Sequence, residues 1–471
     1  MSLWSAQEAA LATGGETAGD WQAEGVSIDT RTLQAGDLFV ALADQRDGHD
    51  FVAEALQKGA SAALVSRRPA DVLSDENLLY VKDVQAALEG LARAARQRSA
   101  AQVIAITGSA GKTSTKEMLR VMLQAQGKTH ASYASYNNHW GVPLTLASLP
   151  RDAAFAVVEI GMSNSGEIAP LARLVRPDAA LITTVAPAHL AAFENLEGIA
   201  REKAAIVQGL TAQGYAVLNA EAPCRSVMEQ AVAAKGCQSL WFGTGAAQAR
   251  IAQLSVKDGL TQVMASIGDL SLQFELHTVG RHFAMNALGA LALLSKLNAD
   301  VEKAARVLAQ WQPAEGRGMR HQLHASFGAF ELIDDAYNAN PVSMQAALDV
   351  LAQASSSRRV AFLSDMKELG ADERAHHSAL AQLPAIRNID LIHMAGPLMA
   401  ALHHSLPVEK RGQHFANAKE MAACVEDLLQ ADDCILVKAS LSSGLRQVVD
   451  AIKIISQSDP DCAARPVERK R

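Results

Sequence analysis

Residues 103–117, VIAITGSAGKTSTKE, constrain the fold more than any other stretch. Residues 103–106 are apolar and mostly β-branched, which suits a strand covered on both faces. Gly108, Ser109, Ala110 and Gly111 follow as a short glycine loop. Met118, Leu119, Met122 and Leu123 then recur at helical spacing, with Gly127 placed to end the helix. A strand end is thus joined to a helix N-terminus, where unpaired N–H groups and the helix dipole favour phosphate. The loop from Thr107 to Gly111 is the expected cradle, Lys112 a mobile charge for the outer phosphates, and the Thr113 hydroxyl a magnesium ligand. A full P-loop has Gly six residues before the lysine, where this chain has Ile106. The shorter G-x-x-G-K-T is read as nucleotide-binding because of the strand before it and the helix after it.

The rest of the chain repeats that alternation. At 471 residues it has room for two to four domains, and 49% hydrophobic residues can fill large cores. Residues 1–85 read as a first unit, with strands at 38–42 and 62–66 and a helix at 51–58. A connecting helix is expected over 84–98. The central unit, 86–312, has strands at 154–160, 179–185 and 216–219 and helices at 168–174 and 199–208. A meander of short strands ends at Leu276, and a helix spans 282–297. The last unit, 313–456, has strands at 330–333, 360–363, 391–395 and 435–438, with helices starting near Ser343, Asp372 and Ala418. Residues 457–471, a polar end, are expected to be a disordered tail. The reading is α/β: three domains built on largely parallel sheets.

Composition excludes several classes. The net charge is −7 with no basic block, which argues against nucleic acid as a partner. Cys224, Cys237, Cys424, Cys434 and Cys462 form no C-x-x-C pair, so reduced thiols are expected rather than a disulfide frame or zinc site. The N-terminal stretch has no basic segment or long apolar run, and the most apolar helix is broken by Asn286 and Ser295. A cytoplasmic chain with no membrane span is the expectation, and a monomer is assumed.

Several residues gather where such sheets bind ligands, at strand C-terminal ends. Glu159 ends a strand, and His189 lies just past another. With Thr113 they emerge on one sheet edge and could bind magnesium. By residue type alone Glu159 reads as a water-facing strand end, His189 as a loop residue, Lys203 as a solvated helix lysine, and Asp29-Thr30-Arg31 as a turn. Asn286, at the start of an apolar helix, could read a base or cap backbone. Arg317 and Arg320 flank a domain junction, where an arginine suits a γ-phosphate clamp formed on closure. Asp334, Asp335, Tyr337, Asn338 and Asp365 cluster at strand ends of the last unit.

Together the motifs DTRTLQAGDLFVAL, ITGSAGKTSTKEML, YNNHWGVPLTL, VVEIGMSNSGEI, PAHLAAFENLEGIAREKA, GRHFAMNALGAL, GRGMR, DDAYNANPVSM and LSDMKELG cover nearly the whole chain. Their order resembles the Mur ligases, ATP-dependent ligases of peptidoglycan synthesis, and YNNHWGVPLTL with DDAYNANP resembles the dipeptide-adding branch. The resemblance implies a UDP-substrate domain, an ATP domain and a Rossmann-like domain. It implies ATP, two magnesium ions, UDP-N-acetylmuramoyl-tripeptide and D-alanyl-D-alanine, joined through an acyl phosphate. By the same resemblance Lys112 and Thr113 serve phosphate and magnesium, and Glu159 and His189 are metal ligands. Lys203 is expected to be carbamylated, Asn286 to lie at the adenine, and Arg317 at the γ-phosphate. Asp334 and Tyr337 are expected at the nucleoside, Asp29, Thr30 and Arg31 at the uridine diphosphate, and Asn137 and Asn138 at substrate. Two departures stand out: Ala191 and Leu441 occupy places where the family commonly has Glu and Arg. The alternatives are a single-amino-acid-adding sister or a folylpolyglutamate synthase-like ligase, the latter opposed by the DTR segment. A regulatory ATPase is opposed by Glu159, His189 and Lys203 together.

Overall fold

The computed structural model describes residues 2–257 and 259–457. Four sheets organise them. The first has five strands in the order Glu16–Thr17, Leu78–Tyr80, Ala62–Val65, Asp37–Val40, Gly25–Ser27, parallel except at the Glu16–Thr17 edge. A two-stranded ribbon, Trp4–Ser5 with Gln22–Ala23, lies beside it. The helix Val84–Arg98 starts where the Asp83 side chain accepts from the Ala86 N–H at 2.9 Å. Its Leu88 and Leu91 share one apolar core with Leu38 and Leu64 of the first sheet and Leu144 beyond it.

The central sheet has nine strands. From one edge they are Leu270–Leu276, Leu260–Ile267, Ala249–Lys257, Gln238–Gly243, Tyr215–Asn219, Ala179–Ile182, Gln102–Thr107, Phe155–Glu159 and Thr129–Ala131. The strand alternation splits residues 103–106 between two cores. Ile104 and Ile106 meet Met118 and Leu119 of the helix Lys112–Gln124 and the apolar helix Arg281–Leu294 on one face. Val103 and Ala105 meet Ile168 and Leu171 of Ile168–Val175 and Ile199 of Leu196–Ala204 on the other. Each fully buried aliphatic side chain contributes roughly 1.5–3 kcal/mol relative to exposure. The expected meander is not a separate element. Its strands pair antiparallel and extend this same sheet.

The last sheet runs Met319–Ala325, Gly328–Asp335, Asp433–Lys438, Arg358–Ser364, Leu391–Ala395, Arg411–Phe415, antiparallel only at its first pair.

Several expectations shift. The P-loop helix ends at Gln124 on an αR cap at Ala125, so Gly127 is not a left-handed stop. Gly127 serves packing instead: a Cβ there would lie 2.9 Å from the Ala154 Cβ. The helix Arg446–Gln457 carries ordered chain to the start of the expected tail, because Val448, Val449 and Ile452 have a core to fill. Residues 458–471, with Cys462, lie outside the described residues. Cys224, Cys237, Cys424 and Cys434 are free thiols. No helix among the described residues is long and apolar enough to cross a membrane.

Candidate active site

The strand Gln102–Thr107 lies between Phe155–Glu159 and Ala179–Ile182, all parallel, so their C-terminal ends open on one edge. The glycine loop emerges there. Gly108 has φ 150°, and a Cβ on it would lie 1.9 Å from the Thr183 hydroxyl. Gly111 has φ 83°, and a Cβ there would lie 2.8 Å from the Asn286 amide. Both positions therefore require glycine. The Ser109 hydroxyl donates to the Ala186 carbonyl and accepts from its N–H, each at 2.9 Å, which ties the loop to the next strand's exit.

Lys112 curls back over the loop, its Nζ donating to the Gly108 carbonyl at 2.8 Å. Burial pushes its pKa down; the Glu159 charge opposes this and Arg317 adds to it. The Thr113 hydroxyl donates to Glu159 Oε2 at 3.0 Å, and Asn137 Nδ2 donates to Glu159 Oε1 at 2.7 Å. Asn138 Oδ1 accepts from the Gly141 N–H at 2.9 Å, where the helix Gly141–Ala147 begins. Asn286 is in the second turn of its helix rather than at its start, and its amide packs on the loop at Gly111.

Lys203 is 2% exposed, and its side chain makes no hydrogen bond or ion pair among the described residues. Burial drives its pKa far down, and the Lys112 charge pushes it further. The expected solvated lysine is thus a buried one. Its neighbour Glu202 is also buried and accepts from the Gly166 and Ile168 N–H groups, each at 2.7 Å. His189 sits at φ 60° just past its strand, with Nδ1 against the Glu368 carboxylate. Burial lowers its pKa, Glu368 raises it, and Lys112 and Lys203 lower it.

The last unit faces this edge across a cavity of about 280 Å³ lined by Gly111, Asn286, Arg317, Asn338 and Lys438, among others. Arg317 reaches over, its Nη2 donating to the Ser135 hydroxyl at 3.1 Å and its guanidinium lying 4.0 Å above the Tyr337 ring. Asn340 Nδ2 donates to the Ser109 carbonyl at 3.2 Å. Arg320 is instead tied to Glu331 by two bonds of 2.8 and 2.6 Å. Asp334 is fully buried and bound by Arg446 at 2.8 Å, while Asp335 lines the cavity and pairs with Lys438 at 2.6 Å. Burial raises the Asp335 pKa against the pull of Lys438. His282 lines the same cavity, its pKa pushed down to about 4 by burial with Lys438 adding to the effect.

Away from this site, the Arg31 side chain pairs with Asp29 in three bonds of 2.9, 3.0 and 2.5 Å, and the Thr30 carbonyl accepts from Lys58 Nζ at 3.0 Å. A second cleft of about 460 Å³ lies beside them, lined by Ser27, Thr32, Tyr133, Tyr136 and Thr145 among others.

Sequence reasoning missed Lys116. Its ammonium is fully buried in the P-loop helix and donates to the Ser132 and Ala134 carbonyls at 2.8 and 2.5 Å. It fixes the loop that carries Ser135 and Asn137. A lysine in KTSTKE reads as a surface residue, and only the fold reveals the carbonyls above it.

Three family profiles match this layout. "Mur ligase family, catalytic domain" matches residues 22–97, "Mur ligase middle domain" residues 106–294, and "Mur ligase, glutamate ligase domain" residues 319–441. The chain is 36% identical over 436 residues to the UDP-N-acetylmuramoyl-tripeptide–D-alanyl-D-alanine ligase of Escherichia coli, covering 91% of this chain and 94% of that one. The ligase of the same name from Rickettsia prowazekii is 30% identical over 450 residues, covering 95% and 99%. The chain belongs to the Mur ligase family. A crystal structure of MurF from Acinetobacter baumannii superposes with a TM-score of 0.83 at 29% identity, covering 96% of this chain and 99% of that one.

As a Mur ligase the protein is an ATP-dependent amide-bond-forming ligase. Its metal-binding means are sparse: among the described residues no three His, Cys, Asp or Glu side chains converge as a dedicated cage. Magnesium keeps several waters and is commonly held by one or two carboxylates plus substrate phosphates. Glu159 and the Thr113 hydroxyl, already joined at the loop, fit that role.

Proposed function

We propose that this chain adds D-alanyl-D-alanine to UDP-N-acetylmuramoyl-tripeptide at the expense of ATP. The observation that carries the reading is the sheet edge where the glycine loop and Asn286 share one cavity with Arg317, with Lys112 folded onto that loop and Thr113 bonded to Glu159 beside it. The loop from Thr107 to Gly111 holds the ATP phosphates on backbone N–H groups, Asn286 lies at the base, and Lys112 and Arg317 neutralise the outer phosphates. Asp334 and Tyr337 lie on the nucleoside side, with Asp334 held by Arg446. Asp29, Thr30 and Arg31 bind the uridine diphosphate beside the second cleft, and Asn137 and Asn138 place the loop that borders the substrate.

The tripeptide's terminal carboxylate attacks the γ-phosphate; the bond from that phosphorus to the β-bridging oxygen breaks and ADP leaves. The dipeptide amine then attacks the acyl carbon, and phosphate departs with the acyl C–O bond. Two anions must meet in the first step, so cations must stand between them. Two magnesium ions, held by Thr113, Glu159, His189 and a carbamylated Lys203, supply charge neutralisation beyond Lys112. Carbamylation needs a neutral amine, and the strongly lowered pKa of Lys203 supplies one. A bare ammonium there would repel metal, whereas the carbamate is an anionic oxygen donor. Acyl phosphates hydrolyse, so docking of the last unit through Arg317 and Asn340 keeps water out.

The three units are taken as residues 1–85, 86–312 and 313–456, in a cytoplasmic monomer. The test is phosphate release from ATP. It should require both UDP-N-acetylmuramoyl-tripeptide and D-alanyl-D-alanine; release without either, or with L-glutamate replacing the dipeptide, would sink the reading. Comparing tripeptides ending in lysine and diaminopimelate fixes the acceptor.

A further inference from the structure

The segment 132–138, between the strand Thr129–Ala131 and the helix Gly141–Ala147, touches all three units. Tyr133 and Tyr136 line the second cleft together with Ser27 and Thr32 of the first unit. Asn137 Nδ2 holds the Glu159 carboxylate of the central unit. Ser135 meets the last unit, its hydroxyl accepting from Arg317 Nη2 at 3.1 Å. That is the only hydrogen bond the Arg317 guanidinium makes among the described residues; otherwise it lies on the Tyr337 ring of its own unit.

What holds this segment is a side chain of the phosphate-loop helix. Ala134 sits at φ 45°, left-handed backbone that is unfavourable for a residue with a Cβ. Such a conformation persists only where the surroundings impose it. Here the carbonyls on either side of Tyr133, those of Ser132 and Ala134, both accept from the Lys116 ammonium. Its remaining donor meets Glu117 at 3.0 Å. Lys116 is fully buried. An apolar side chain of similar length would fill that space without the desolvation penalty of an ammonium. What the ammonium adds is the grip on two carbonyls.

We propose that Lys116 is a positioning residue for phosphoryl transfer: it fixes the backbone at Ala134 so that the next residue, Ser135, presents the hydroxyl on which Arg317 of the last unit rests. One helix then sets both cations of the site. It carries Lys112 at its start, and one turn further on Lys116 holds the perch of the arginine that comes from the other unit. This rests on the reading that Arg317 serves the outer phosphate. Placement of that guanidinium to within a fraction of an ångström matters because it acts on charge that develops only as the phosphoryl group moves.

The test compares kcat and the KM for ATP in variants of the full chain, with melting temperatures alongside. Ser135→Ala removes one hydrogen bond to a charged group and should lower kcat about tenfold with KM near normal. Ser135→Thr, which keeps the hydroxyl, should retain most of the activity. Lys116→Met should lower kcat at least as far as Ser135→Ala. In an Arg317→Ala background Ser135→Ala should cause no further loss. Glycine takes left-handed backbone freely, so Ala134→Gly should restore part of the kcat lost in Lys116→Met. Unchanged kcat in Arg317→Ala would overturn the phosphate reading of that arginine itself. A loss there with none in Ser135→Ala, or none in folded Lys116→Met, overturns the positioning role alone, as does full additivity of Ser135→Ala with Arg317→Ala. Failure of both Lys116→Met and Lys116→Gln to fold, or no recovery with Ala134→Gly, would make Lys116 a purely structural lysine and overturn the role as well.

Discussion

The two sheets that face each other across the cavity treat charge in opposite ways. On the central edge Lys203 is buried with no partner, and the Lys112 ammonium reaches only a carbonyl of its own loop. On the opposite edge Asp334 is paired with Arg446, Asp335 with Lys438 and Asp365 with Lys367. A buried amine without a polar partner is costly to the fold, so its presence calls for a ligand or a modification. Paired charges hold a unit together and present a finished surface. The comparison assigns the chemistry to the central edge and the docking to the other. Substitutions on the two sides should therefore fail differently, in turnover on one and in stability on the other.

The largest expected effect is at Lys112. Lys112→Ala should abolish ligation, a loss of about 3–5 kcal/mol of transition-state stabilisation, with the melting temperature unchanged or raised. Near-normal turnover in a folded variant would break the comparison at its first residue. Lys203→Ala should be almost inactive, with bicarbonate-independent partial rescue by acetate filling the vacated anionic position. Full activity, or no rescue at any acetate concentration, would remove the carbamate from the reading. Arg317 crosses between the sides. Arg317→Ala should lower kcat by about 2–3 kcal/mol in equivalent free energy while leaving ATP affinity near normal. An equal kcat would reduce it to a linker charge resting on Tyr337.

On the opposite side Arg446→Met leaves Asp334 buried without its cation. Breaking a buried pair costs about 3–5 kcal/mol, and partial exposure of Arg446 reduces this to about 1–3 kcal/mol. Denaturant unfolding should show that loss with kcat little changed; a collapse of kcat at full stability would move Arg446 into the chemistry.

What was legible in the sequence follows the same divide. The glycine loop, its strand and its helix could be read because they are consecutive, and backbone geometry alone makes the cradle. Glu159 was legible as a strand end next to that loop. The buried states of Lys203 and Lys116 were not: residue type alone made Lys203 solvated, and nothing in the sequence singled out Lys116. Asp334 stood out in DDAYNANP, but its partner Arg446 lies in a helix the sequence reading did not assign. The strands Met319–Ala325 and Arg411–Phe415 were missed because mixed polar sequences such as RGQHF carry little alternation.

The smallest expected effect lies on the docking side, far from the cavity. His393 is buried and stacked on Phe362, its Nδ1 accepting from the Gln413 N–H at 3.0 Å. Burial, with Arg358 adding, lowers its pKa from 6.5 to about 4. The folded chain thus binds this proton less readily than the unfolded one. Its neutral state is without penalty above about pH 6.5, and stability falls as pH drops toward 4, by about 1.4 kcal/mol at pH 5.5. His393→Asn should flatten that part of the stability–pH curve; an unchanged slope would assign the acid sensitivity elsewhere.

The position of the phosphate-binding strand has a consequence for synthesis on the ribosome. Gln102–Thr107 is made before both of its neighbours, Phe155–Glu159 and Ala179–Ile182. At typical elongation rates the first partner follows roughly 3–10 s later. For that interval a β-branched apolar segment is outside the tunnel with both edges open, an aggregation-prone condition. The strand that leads into the glycine loop is thus exposed for a time in the nascent chain, a point where holdase chaperones would act.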